Sequence, residues 1–450
     1  MRRLSRRLSE RTRLKSVASL LVGVGLATGM MGAQAISLVT PGTTTYVNEL
    51  FAAEPIDIGA QHTLVLDSRN GFGLYGTLNN RGVVRIIGTG PTEWGESVFY
   101  AFDGQINQGR WILESADVAV LATMQNTAGV IEIGTNSRLM VDLTGGRIQG
   151  TDASSLIRDS GLRDATLAGR LNTTSVSIAG TLNIEGQVSF SNAFASEATT
   201  LKGSGQTLLR GATGAFQPAP TALTIAAGHR VDAAGQLSRI ALTNQGQLLV
   251  AQQQTLTTES LLVQQVDEAR LVVKGNLQTP GIQIQAGVLD LHNTSYVTGD
   301  VDLQAGRLML HQFSGVEPGS LGLGAIIEGN LTLSDQSTVE VIVDHDGDHF
   351  ATLEIWGNAS LGGDLIVSFV DGVKVPSTFD ILFMGSNVQG SFRSLRVNGS
   401  GNLPWTFVQN SNGQVSIAAV PEPGTWGLML CGLGVVGWHL RRRAATQTAR

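Results

Sequence analysis

Residues 78–88, "LNNRGVVRIIG", set the terms for the fold. Asn80 stands two positions before Gly82, and the glycine leads directly into Val83, Val84, Ile86 and Ile87. Asn and Gly accept the φ > 0 backbone that tight turns require. The β-branched run that follows suits a strand, with alternate side chains directed inward and outward. The unit recurs in "INQGRWILES" (106–115), "QNTAGVIEIG" (125–134) and "TNQGQLLVAQ" (243–252). Related strand–turn runs follow at 179–190, 274–293, 298–310 and 328–343.

The spacing selects the architecture. Gly82, Gly109 and Gly129 lie 27 and then 20 residues apart, and Gly287, Gly306 and Gly329 lie 19 and then 23 apart. Intervals near twenty residues fit one coil of a β-solenoid, which holds two or three short strands and their corners. A β-sandwich also has short strands with frequent turns. However, the pattern here persists beyond the size at which a single sandwich core keeps growing. The reading is therefore all-β, a parallel β-helix or β-solenoid over residues 36–345. The stretch "SSLIRDSGLRDATLAG" (154–169) is the best helical competitor and reads as an irregular coil or insertion.

Residues 350–417 add strand, Gly turn, strand, Pro-containing loop, strand and a Gly-x-Phe closure. Leu353, Ile355, Gly357, Leu361, Gly363, Leu365, Val367, Phe379, Ile381, Leu382, Gly390 and Phe392 carry this pattern. It resembles the last coils of autotransporter passenger-type β-helices, although Ser377-Thr378 replaces the Gly common before the aromatic strand. The resemblance implies a C-terminal capping β segment over 346–418, which would cover an open sheet edge.

Both ends read as targeting segments. Seven basic residues between Arg2 and Lys15 precede an apolar run, Val17 to Met31, and then Ala33-Gln34-Ala35. This is the layout of a signal peptide, a signal helix over 1–35 with cleavage expected after Ala35. At the other end, Pro421, Glu422 and Pro423 interrupt regular structure. Thr425 to Leu440 is uncharged, with Trp426 and Trp438 near its ends, and Arg441, Arg442 and Arg443 follow. Interfacial tryptophans and a cytoplasmic basic anchor describe a membrane helix over 425–440. Sixteen residues at about 1.5 Å each reach roughly 24 Å, less than the ~30 Å hydrocarbon core. The order Pro-Glu-Pro, short apolar segment, basic cluster over 419–450 resembles the PEP-CTERM sorting signal of Gram-negative bacteria. That resemblance implies recognition and processing by an exosortase, transient anchoring in the inner membrane, and a final place at the cell surface or outside the cell.

Charge and cysteine content limit the remaining classes. The whole chain carries a formal net charge of −6. Without 1–35 and the residues after 420, 19 Lys and Arg face 34 Asp and Glu, about −15 net. Such a surface argues against nucleic acid as a partner. The only cysteine, Cys431, lies in the apolar segment, so the exported body has no disulfide or cysteine metal site.

"VDHDGDHF" (343–350) is the chemically richest stretch. Asp344, Asp346 and Asp348 alternate around Gly347 as in oxygen-rich calcium loops, but position 12 is Ile355 rather than Glu. It reads as a solvated turn, with weak calcium binding as the alternative and no other cofactor. Asp290 with Asp300 or Asp302 could form paired carboxylates, with Arg307 as the nearest basic residue. His62, His229, His292 and His311 read as scattered, none paired at metal-ligand spacing. No catalytic residue is assigned. The expected function is non-enzymatic: an exported surface or matrix protein. The family resemblance implies partnership with extracellular polysaccharide in biofilm or floc. A β-helix polysaccharide lyase or hydrolase, or an adhesin for other cells, is the alternative.

Overall fold

The computed structural model describes residues 36–47, 55–69, 72–90, 98–311, 324–343, 353–371, 378–384, 387–399, 405–409, 414–419 and 429–438. The expected signal peptide, with Ala33 and Ala35, lies outside the described residues. So do Asp344, Asp346 and Asp348, the motif Pro421-Glu422-Pro423, and Arg441 to Arg443. Two compact units divide the chain, Met1–Ala241 and Leu242–Arg450. Both contain parallel β-solenoid coils, as the sequence leads one to expect.

In the first unit the strands Thr63–Asp67, Val83–Ile87, Arg110–Glu114, Val130–Ile133, Arg147–Gly150 and Thr166–Thr174 stack as successive rungs of a parallel sheet. The register runs Val83, Arg110, Val130, Arg147, Thr166. One position on, Val84, Trp111, Ile131, Ile148 and Leu167 form an inward column in which every member is fully buried. Each such side chain contributes about 1.5–3 kcal/mol of burial. The core is thus a set of stacked columns, one residue per coil.

The recurrent Asn-x-Gly has a different cause from the expected φ > 0 turn. Among the described residues, neither Asn80 nor Asn107 adopts positive φ, and neither do Gly82, Gly109 and Gly129. Asn80, Asn107 and Asn126 are buried instead and form a carboxamide ladder along the coils. Asn80 Nδ2 donates to Asn107 Oδ1 at 2.8 Å, and Asn107 Nδ2 donates to Asn126 Oδ1 at 2.6 Å. Each of the first two also accepts from the glycine two residues on, at 3.0 Å from Gly82 N–H and 3.3 Å from Gly109 N–H. The glycines are needed for clearance. A Cβ on Gly109 would lie 2.2 Å from the Gly82 carbonyl oxygen. One on Gly129 would lie 2.3 Å from Asn107 Nδ2.

The stretch 154–169 is regular solenoid rather than an insertion. Leu156–Arg158, Gly161–Arg163 and the start of Thr166–Thr174 are three strands joined at corners where Asp159 and Asp164 take φ of 46° and 49°. Ile157, Leu162 and Leu167 are buried and pair with Leu139, Leu143 and Ile148 of the preceding coil. Their fivefold spacing reflects corners, which neither a helical nor a strand period captures.

In the second unit Arg270–Val273, Val288–His292, Gly306–His311, Ser337–Val343, Asp364–Phe369 and Ser394–Asn398 form the corresponding rungs. Leu289, Leu308, Val339 and Leu365 fill the inward column. Asn244 and Gln264 repeat the buried carboxamide contact, 3.1 Å apart. Gly287 and Gly306 stack as expected, both with positive φ. Gly329 does not continue their column; it lies between Gly299 and Gly357 at another corner, because the coils lengthen here. Parallel pairing continues past residue 345 to Ser394–Asn398. Beyond it, Gln414–Ala419 pairs antiparallel with both Thr378–Met384 and Trp405–Gln409.

The expected membrane helix is described only as a helix over 429–438 with exposed side chains. Among the described residues no helix is long and apolar enough to cross a membrane.

Candidate functional site

The stacking of the second unit brings Asp290, His292 and His311 together. Val288–His292 and Gly306–His311 are adjacent rungs in which His292 stands opposite His311 and Asp290 opposite Met309. Leu289 and Leu291 point into the core, so Asp290 and His292 lie on the outer face of the strand. Even so, the Asp290 side chain is only 2% exposed, because its neighbours close over it. Its two oxygens have different partners. Arg270 donates to Oδ2 from Nη2 at 2.5 Å and from Nε at 3.2 Å. Oδ1 faces His311 Nε2 at 3.1 Å and His292 Nε2 at 3.6 Å. The two imidazoles stack with centroids 4.7 Å apart and planes 12° from parallel.

The electrostatics follow from this packing. Burial works to raise the Asp290 carboxyl, but the close approach of His311 and the hydrogen bonds from Arg270 outweigh it and hold the group below the usual carboxylate value. Burial pushes the His292 imidazole down to about 4 against the pull of Asp290, with Lys274, His311 and Arg270 adding repulsion. His292 is therefore neutral at pH 7.

Asp290 does not join Asp300 or Asp302, which occupy a different column. Asp300 pairs with Gly281, and Asp302 with Gln283 and Thr332. Arg307 is engaged by Glu340 at 2.7 Å. His62 and His229 are indeed separate. Thr43 and Thr45 contact the two nitrogens of His62 at 2.8 and 3.0 Å. His229 contacts Thr207 Oγ1 at 2.9 Å and the Gly203 carbonyl at 3.1 Å. His292 and His311 do meet, contrary to the reading of them as scattered. Metal-ligand spacing along a helix or hairpin does not apply to residues one coil apart. The signal was the coil interval: each histidine follows its coil glycine, Gly287 or Gly306, by five residues.

Asp300 and Asp302 line a second feature, a polar groove of about 550 Å³ across several coils, with Asn330, Asn358, Asn387 and Gln389. Asn330 donates from its backbone N–H and from Nδ2 to Asp300 Oδ1, at 2.8 and 2.9 Å. Asn358 does the same to Asn330 Oδ1, at 2.9 and 3.2 Å. Asn387 stands opposite Asn358 on the next coil. The result is an exposed row of amides and a carboxylate, with hydrogen-bonding groups repeated at the coil spacing.

Comparison with known proteins bears on the C-terminus. No curated protein shows a significant match to the chain. Residues 419–443 match the PEP-CTERM protein-sorting motif, which covers the helix 429–438 and none of the solenoid coils. The chain therefore carries a PEP-CTERM sorting motif behind a β-solenoid body, which implies an exosortase-processed protein exported to the cell envelope or surface.

Proposed function

We propose that the solenoid is a non-enzymatic surface or matrix protein that binds extracellular polysaccharide in biofilm or floc after export. The observation carrying this reading is the polar groove. Asp300, Asn330, Asn358 and Asn387 repeat hydrogen-bonding groups from coil to coil, as a repeating hydroxyl-rich chain would require. Solenoid walls commonly serve as extended binding surfaces of this kind. Its acidic, carboxamide-rich character suits neutral sugars better than anionic ones. During export, Thr425 to Leu440 would stop briefly in the inner membrane with Arg441 to Arg443 on the cytoplasmic side, and processing near Pro421 to Pro423 would free the body.

The test is co-sedimentation of the purified full chain with the extracellular polysaccharide of the producing cells. Wild type should sediment with it, and Asn330→Ala/Asn358→Ala should remain in the supernatant. Absence of binding by wild type would refute the reading. Shortening of the polysaccharide on incubation would replace it with the lyase or hydrolase alternative.

A further inference from the structure

We propose that Asp290, His292 and His311 bind one first-row transition-metal ion of the Zn²⁺ class on the outer face of the second unit. One ligand atom from each of the three residues lies within 4.8 Å of the others. Two imidazole nitrogens and one carboxylate oxygen suit zinc, copper, nickel, cobalt or iron(II). Calcium and magnesium demand oxygen shells and are disfavoured. Three protein ligands leave a position open on the solvent side, where the histidine side chains are 21% and 23% exposed.

The surroundings prepare the carboxylate for this role. Arg270 occupies Asp290 Oδ2, which leaves Oδ1 as a single oriented donor facing both histidines. Outer partners of this kind fix ligand direction in metal sites. The β-strands on which all three residues sit are anchored by fully buried Leu289 and Leu308. The competing arrangement is a closed hydrogen-bond cluster in which an imidazole N–H donates to Asp290. The near-parallel rings belong to that arrangement, since lone pairs in parallel planes do not converge on one point. Metal binding therefore requires the rings to tilt out of their stack and each ligating imidazole nitrogen to be deprotonated.

The experiment uses the purified full chain, stripped with EDTA and gel-filtered. Zn²⁺ is titrated calorimetrically, and Co²⁺ is added separately to read its visible d–d spectrum. The expected result is one equivalent of Zn²⁺ and a Co²⁺ spectrum with nitrogen ligation. His292→Gln or His311→Gln each removes one of three ligands and should weaken binding by more than the ~10–100-fold that loss of an outer partner costs, and the double variant should abolish it. Asp344→Asn/Asp346→Asn/Asp348→Asn should leave the equivalent intact. Absence of a bound equivalent and of a Co²⁺ spectrum in wild type would overturn the proposal without any variant needing to fold. Loss of the equivalent in the triple aspartate variant alone would equally overturn it. The outcome is independent of polysaccharide binding, so either proposal can fail while the other stands.

Discussion

Replacing Asn107 by Ala tests whether the buried carboxamide ladder holds the first unit together. The substitution deletes three hydrogen bonds at once. Asn126 Oδ1 loses its 2.6 Å donor, Asn80 Nδ2 loses its 2.8 Å acceptor, and Gly109 N–H loses its 3.3 Å acceptor. Asn80 keeps a partial substitute, the Arg110 carbonyl at 3.3 Å. A buried polar group left without a partner costs about 1–3 kcal/mol. Two full orphans and one partial one should thus destabilise the fold by roughly 3–5 kcal/mol. The assay is urea denaturation followed by far-UV circular dichroism, with slope and midpoint compared, since stacked coils can unfold in stages. Gln108→Ala, one residue away and exposed, should change stability by less than about 0.5 kcal/mol. Asn107→Ala within about 0.5 kcal/mol of wild type would refute the ladder argument.

Further outcomes follow from the same geometry. Gly109→Ala should cost roughly 1–3 kcal/mol by forcing adjacent coils apart, because its Cβ would meet the Gly82 carbonyl; an unchanged urea midpoint would show that the coils give way freely. Burial holds the His229 imidazole below its ordinary value, so the unfolded chain takes up a proton before the folded one does. Stability should fall as pH drops below about 6.5, and His229→Gln should reduce that slope in urea midpoints between about pH 7.5 and 5.5, the rest coming from His292, which burial also holds low. Altering Pro421-Glu422-Pro423 should block processing, so that membranes accumulate full-length chain on an immunoblot. Mass spectrometry of the released wild-type protein should find neither Trp438 nor Arg441.

The solenoid could be read from the sequence because each coil repeats a local pattern. Val84, Trp111 and Ile131 each stand two residues after the glycine of an Asn-x-Gly or Asn-x-x-Gly, and alternation assigns their inward direction without any tertiary knowledge. What the pattern alone cannot give is the reason for its own residues. Asn80 and Gly82 look like turn formers in one dimension, whereas in three they are a ladder rung and a clearance gap. Both roles exist only once the next coil is laid on top. Register has the same character. A solenoid brings together residues one coil apart, and that interval changes along the chain, so Gly287 stacks on Gly306 while Gly329 goes elsewhere. Asp290 is visible in the sequence as a carboxylate whose near neighbours there are Asp300 and Asp302. Its partners Arg270 and His311 lie about one coil before and one coil after it. In this architecture chemistry is assembled across the stacking direction. A candidate site is found by comparing equal offsets from successive coil glycines, and local motif spacing passes over it.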